Sequence, residues 1–535
     1  MRYFIFPLLF CAALACHPLK KSTTETPGIP SAQTPGMPLK DDGLIEIVFL
    51  QMNDVYEITP SSSGNRGGMA RVATIRKELL AKNPNTVTVL AGDFISPSVT
   101  GTLKHEGKRI RGKQMVETMN ALGVEWVVFG NHEFDYSDPA DLQARLDESN
   151  FTWMAANARY KTKAWTMQFF KNRNGGQEIC PDYLTRAFKD ADGTTLDLGV
   201  FAVMINTGKQ PWVEYSDWAA AARRCYDALL PKSEVCIALT HLAIEDDRKL
   251  AGMFPKIPLI MGGHEHENAR VPVGDVVIAK ADANATTVYV HTLRYDKNKK
   301  TCTLRSELRT VDASIPDEPA TAEVVKKWEK IKNDALASAG FDPYKSVKTL
   351  SQPLDCREIT IRQRQAPVGT MLTAAMLAAA RTKPVCALVN SGSIRVDDVL
   401  SGSLSELDVV RILPFGGAIV EVEMKGSLLR RTLDASEGNQ GNGGYLQYAG
   451  IQKNGSADGG WRVADKPLDD KATYRVVLPE FLLTGNEQNM SFLKAEPTAT
   501  GTTNPEISAI SKPAAGDTTD KRRDVRIALI EYLRQ

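Results

Sequence analysis

Glu125-Trp-Val-Val-Phe129 runs straight into Gly130-Asn131-His132-Glu133-Phe134-Asp135. An apolar, β-rich run that ends abruptly in polar, metal-competent side chains reads as a buried strand delivering a site from its C-terminal end. Asn131 offers a neutral carbonyl oxygen, useful to a metal where carboxylates and imidazoles stand nearby. His132, one residue on, points elsewhere and is free to meet a substrate. Asp135, three residues later, is placed to orient that imidazole and stabilise its protonated form. Alone, an Asn-His pair is a turn, so the other strand ends decide the reading.

Four more apolar runs end in the same way. Ile45 to Leu50 leads into Asn53-Asp54-Val55-Tyr56, and Thr86 to Leu90 into Gly92-Asp93. Glu234 to Leu239 leads into Thr240-His241, and Ile257 to Ile260 into Gly262-Gly263-His264-Glu265-His266. Helical patterns at Met69 to Leu80, Lys113 to Leu122 and Asp217 to Leu229 fall between them. This alternation predicts a layered α/β fold whose strand ends converge on one crevice. Asp54, Asp93, Asn131, His241, His264 and His266 would meet there. Three imidazoles, two carboxylates and an amide, with no thiolate, suit a pair of divalent ions drawn from Zn, Mn, Co, Fe or Mg. Such a pair clamps the attacking and leaving oxygens of an in-line displacement at phosphorus and lowers the pKa of bound water.

In order along the chain, these motifs resemble those of the calcineurin-like metallophosphoesterases. Gly67-Gly68-Met69-Ala70-Arg71 and Phe134-Asp135 further resemble the 5′-nucleotidase branch, which includes UDP-sugar hydrolase and cyclic-phosphodiesterase members. The resemblance implies an α/β/β/α sandwich followed by an α+β substrate domain. It implies that Asp93 bridges two ions, that Asn131, His241 and His264 complete one site, and that Asp54 and His266 belong to the other. His132 with Asp135 would stabilise the transition state and assist the leaving group. One position departs: the family has Asp-x-His where this chain has Asp54-Val55-Tyr56. Tyr56 either ligates as a phenolate, its pKa drawn down from about 10 by a metal, or leaves the position to water, or packs.

The 535 residues are enough for two domains. With 65 basic and 64 acidic side chains, no global field points to a nucleic acid polymer. Arg2 and the apolar run Tyr3 to Ala15 read as an export leader, too short for a permanent span. Ala13-Leu14-Ala15-Cys16 resembles a bacterial lipoprotein lipobox, with Ala13 where Leu is usual, so Cys16 is the expected lipid anchor and plain cleavage near Ala15 the alternative. The expected segments are a leader at 1–16, a Pro-rich tether at 17–42, a metal domain at 43–312, a linker at 313–345 and a substrate domain at 346–535. A periplasmic or cell-surface location follows. The six cysteines beyond the leader show no CxxC spacing, which excludes a zinc ribbon and leaves disulfides open.

Pro316 to Ser338 starts with prolines and acids and then turns Lys-rich, which predicts a joining helix with a favourable dipole, either a hinge or a solvated surface helix. Val368 to Ala380 reads as a core helix. Val385 to Val389 ends in Asn390-Ser391-Gly392-Ser393-Ile394-Arg395, and Arg411 to Pro414 ends in Phe415-Gly416-Gly417. Both resemble substrate motifs of the 5′-nucleotidase C-terminal domain. The resemblance implies that Asn390, Arg395, Arg362 and Gly417 line the nucleotide and that Phe415 stacks on its base, the plain alternative for Phe415 being a core aromatic. The pattern then departs: Asn489 of Gly485-Asn-Glu-Gln-Asn489 stands where a second ring usually closes the base pocket, and Thr370 and Ala374 replace the usual Asn and Asp. The chemistry is better preserved than the substrate selector.

The expected function is therefore nucleotide catabolism by an exported, two-metal hydrolase of nucleoside 5′-monophosphates or related phosphate esters. Its rivals are a phosphodiesterase, nucleotide-sugar or other ester hydrolase on the same scaffold, and a surface-anchored binding protein that has lost turnover.

Overall fold

A computed structural model describes residues 41–60, 66–208, 210–453 and 460–535. The leader, Cys16 and nearly all of the tether lie outside the described residues. None of the described helices is long and apolar enough to cross a membrane.

Two six-stranded sheets form the first half. In the first, Leu44–Met52 lies between antiparallel Thr287–Asp296 and parallel Thr86–Leu90, and Trp126–Val128 and Thr152–Met154 continue the parallel side. In the second, Thr195–Met204, Val235–His241, Leu259–Gly262 and Val276–Lys280 run parallel, with antiparallel strands at both edges. Period-two alternation shows how the layers stack. Ile237 and Leu239 face the core shared with Phe49, Val87 and Val127 of the other sheet. Cys236 and Ala238 face the outer core with Ala222, Cys225 and Leu250 of helices Trp218–Leu229 and Ile244–Met253. Covered on both faces, Val235–His241 is buried along its whole length, as near-continuous apolar parallel strands require. Helices Met69–Lys82, Lys113–Leu122 and Pro139–Glu148 cover the opposite side. The result is the four-layered α/β/β/α sandwich.

Helix Pro319–Ser338 is the joining helix that the sequence predicts, a surface helix with Thr321, Trp328, Lys332 and Leu336 buried on its packed face. Its first and last turns carry no complementary charge; the Glu318 carboxylate caps it instead, accepting from Thr321 N at 2.7 Å. Trp328 and Leu336 are buried, and Trp328 Nε1 donates to Glu117 at 2.9 Å, so the helix packs on the first half.

Beyond it, a five-stranded sheet has the order Leu446–Ala449, Cys386–Asn390, Thr473–Pro479, Ile419–Lys425, Ile507–Ser511. Ala387 and Val389 pack on helices Pro367–Ala379 and Val525–Leu533, while Cys386 and Leu388 face the core under helix Gly426–Gly438. This half is mixed α+β. Arg411 to Pro414 leaves the end of helix Glu406–Ile412, which a Ser405–Asp408 capping box starts. The six cysteines beyond the leader are all unpaired, so none of the disulfides left open by the sequence forms among the described residues.

Candidate metal centre and substrate face

The ends of three parallel strands of the first sheet and two of the second meet at one point. Asp54, Asp93 and His241 are buried and offer ligand atoms all within 4.8 Å of one another. Leaving its strand, the chain places Asp54 at φ 52° and Asp93 at φ 56°, left-handed conformations that turn each carboxylate back over the strand end. Asp54 Oδ2 accepts from His264 N and from Asn53 Nδ2, both at 2.9 Å. Asp93 Oδ1 accepts from His132 N at 2.7 Å. His264 Nδ1 lies 3.2 Å from Asn131 Oδ1, and its ring centroid 5.4 Å from that of His241. His266 Nε2 lies 3.6 Å from Asp54 Oδ1. The structure thus brings all six candidate ligands together.

The donor set fits divalent ions on an independent observation. His241 Nδ1 donates to Ala91 O at 2.7 Å, and a carbonyl can only accept, so this nitrogen carries the proton. Nε2 is buried with no hydrogen-bond partner in line, 3.1 Å from Asp93 Oδ2; burial disfavours charge on the ring, but Asp93 raises it to about 9, so an ion bound there would replace the Nε2 proton. A nitrogen aimed by its ring partner at a carboxylate cluster is how a metal-binding imidazole is prepared. Burial disfavours charge on Asp93, yet the nearby imidazoles of His241 and His132 hold its carboxyl well below the usual range. Burial, and then His241, push His264 down to about 3, keeping it neutral and able to donate a lone pair.

Glu133 supports these loops, a role the sequence reading missed. Its buried carboxylate accepts from Asp93 N and Phe94 N at 2.9 Å and from Gly130 N at 2.6 Å, tying two ligand loops together. Burial and the Asp93 charge raise it to about 7. A charged residue between apolar Phe129 and Phe134 was the available signal. Gly130 is required by close approach, since a Cβ there would stand 2.1 Å from Asp93 Oδ1. Buried Lys280 braces the His264 loop by donating to Gly263 O at 2.7 Å and to Glu265.

Tyr56 does not simply pack away. Its hydroxyl lies 3.0 Å from His266 Nε2, 3.3 Å from Asp54 Oδ1 and 3.4 Å from Asp93 Oδ2. Burial, with Asp93 and Asp54 beside it, pushes the phenol well above its usual range. The protein's own groups therefore favour the neutral hydroxyl, against the phenolate expected as one possibility.

His132 Nδ1 donates to Asp135 Oδ2 at 2.7 Å, and Ser96 Oγ donates to the same oxygen at 2.9 Å. The Nε2 edge meets the second half of the chain, where Arg395 Nη2 donates to it at 3.3 Å. Arg395 Nη1 also pairs with Glu358 at 2.8 Å, and Arg362 pairs with the same carboxylate oxygen. His266 Nδ1 pairs with Asp397. Glu358 and Asp397 were not singled out from sequence, although each sits two or four positions from an arginine that was. Asn390 Nδ2 donates to Glu487 at 2.7 Å. Phe415 is 57 % exposed, so the core-aromatic alternative fails. Gly417 takes φ 105°, a conformation few other residues adopt. Exposed Asn489 donates to Asn439 Oδ1 at 2.8 Å, a loop-bracing bond that no aromatic ring would make.

Residues 47–268 match the family model of the calcineurin-like phosphoesterases, and residues 346–495 match that of the 5′-nucleotidase C-terminal domain. The chain is similar to 5′-nucleotidase of Bos taurus, 25 % identical over 510 residues that cover 83 % of each protein. Its fold is similar to that of a 5′-nucleotidase precursor from Thermus thermophilus, with TM-score 0.69 at 20 % identity over 92 % of this chain and 96 % of the other. The sulfate thiohydrolase SoxB of Thermus thermophilus shares the fold with TM-score 0.61 at 14 % identity, covering 91 % and 94 %.

Proposed function

Because the chain belongs to the calcineurin-like phosphoesterases and carries a 5′-nucleotidase C-terminal domain, we propose that it hydrolyses nucleoside 5′-monophosphates or related phosphate monoesters to the free alcohol and phosphate. That it is a metal-dependent phosphoester hydrolase follows from the family. Two ions are proposed here, with Asp93 shared, Asn131, His241 and His264 on one side and Asp54 and His266 on the other. When bound, they neutralise charge on the phosphoryl oxygens and activate water as the nucleophile.

The remaining work belongs to side chains. The observation that carries the reading is the His132–Asp135 pair, whose Nε2 edge faces Arg395 beside the ligand cluster. A protein that only binds has no use for an imidazole oriented in this way. Asp135 holds the Nδ1 proton, so Nε2 is the atom that meets the scissile phosphoryl group or its leaving oxygen. Arg395 places a guanidinium at the same point, where anionic oxygens gain charge-assisted hydrogen bonds. Exposed Phe415 offers one face for a base. The Tyr56 hydroxyl takes the place of the usual histidine, which makes the Asp54–His266 position the weaker of the two. Export and an anchor at Cys16 are part of the same proposal, supported by the leader pattern in the sequence.

The test is phosphate release by metal-reconstituted protein from AMP, UMP, a nucleotide sugar, a cyclic nucleotide and a simple sugar phosphate. Monoesters should be hydrolysed and a chelator should stop the reaction. Release from none of them, or from diesters alone, would contradict the proposal.

A further inference from the structure

The two arginines assigned to the substrate are already engaged. Glu358 opens the short helix Glu358–Ile361, and its N–H donates to Asp397 Oδ1 at 2.6 Å. One carboxylate oxygen, Oε1, takes both Arg395 Nη1 and Arg362 Nη2. The same Arg395 reaches His132 Nε2, so Glu358 stands one guanidinium away from the dyad. Asp397, paired with His266, and Asp135, paired with His132, also act on Arg395, so the two guanidinium charges are already opposed by three carboxylates. What remains available is hydrogen bonding to a group that adds no charge: the Nε donors of Arg362 and Arg395 are buried without a partner among the described residues.

We propose that Glu358 is a specificity-determining residue, making the site select phosphate esters of uncharged, hydroxyl-bearing alcohols over esters whose leaving group carries its own negative charge. The inference rests on the hydrolase reading above. A hydroxyl-bearing leaving group can accept from the arginine Nε donors and donate to the carboxylate. A carboxylate or second phosphate on the leaving group meets Glu358 at short range where little water screens it, and like-charge juxtaposition of this kind is strongly disfavoured.

The experiment compares kcat/KM for glycerol 2-phosphate and 2-phosphoglycolate in metal-loaded wild type, Glu358→Gln and Glu358→Asp. Wild type should favour the glycerol ester by about tenfold, the size of one partly screened charge contact. Glu358→Gln should bring the ratio close to one, and Glu358→Asp, which keeps the charge, should preserve it. An unchanged ratio in Glu358→Gln, with both esters slowed equally, would mean that Glu358 only braces the domain contact and would overturn the proposal. Should that variant not fold, a wild-type ratio near one overturns it as well. Calorimetric binding of both esters to the His132→Ala protein reads the preference without turnover: weaker binding of phosphoglycolate supports the proposal and equal binding refutes it. A wild type that hydrolyses neither these esters nor any of the five phosphate esters above would remove the hydrolase reading, while the binding ratio still decides this one.

Discussion

The two halves of the site are held by different means. In the first, backbone geometry holds the ligands: Asp54 and Asp93 sit at positive φ, and Glu133 gathers the amides of Asp93, Phe94 and Gly130. In the second, side chains hold side chains: Arg395 and Arg362 on Glu358, His266 on Asp397, Asn390 on Glu487, with Phe415 in solvent. A backbone-held ligand set tolerates almost no substitution, whereas paired side chains can be exchanged without disturbing the fold. The chemistry is thus built into the rigid half and the choice of substrate into the adjustable one.

The sharpest way to break this contrast is His132→Ala. Turnover should fall by about 10²–10⁴-fold, as for loss of a positioned acid–base group, while metal content stays at the wild-type level. Equal losses of both would place His132 among the ligands.

Glu133→Gln probes the backbone side. Loss of a group that orients ligand loops typically costs about 10–100-fold in metal affinity. Competition against a fluorescent chelator should show that loss, and an unchanged affinity would remove Glu133 from the support of the site.

On the adjustable side, Asn489→Phe should raise kcat/KM for AMP over a base-free sugar phosphate by roughly tenfold, the value of one stacked ring. A wild type already selective for one base by about a hundredfold would show that other residues close the pocket. The smallest effect is expected from Tyr56→His, which should lower the metal concentration needed for half-activity several-fold; superimposable titration curves would count against a weakened Asp54–His266 position.

Much of this was legible because strands advertise their ends. Thr86–Leu90 and Lys113–Leu122 have the bounds that apolar periodicity predicts, and each ligand follows the last apolar residue of its strand by a few positions. What could not be read was contact across domains. Asp397 meets His266 over a separation of 131 residues, and Arg395 meets His132 over 263, so no local pattern carries either. The connector's packed face was hidden for a simpler reason. Its lysines suggested a solvated helix, but Trp328 and Lys332 are buried, and a long aliphatic stem can cover apolar surface while its charge reaches outward. Phe415 was ambiguous because an aromatic after a helix serves a core or a ligand equally well.

The central claim is that the converging strand ends hold two ions around Asp93. Stripped protein and its Asp93→Ala variant should be titrated with Mn²⁺ in equilibrium dialysis, with phosphate release from AMP followed in parallel. Wild type should bind two ions per chain, with activity appearing as the second is bound, and the variant should lose both. Stoichiometric metal binding that survives Asp93→Ala, or phosphate release that needs no metal, would contradict it.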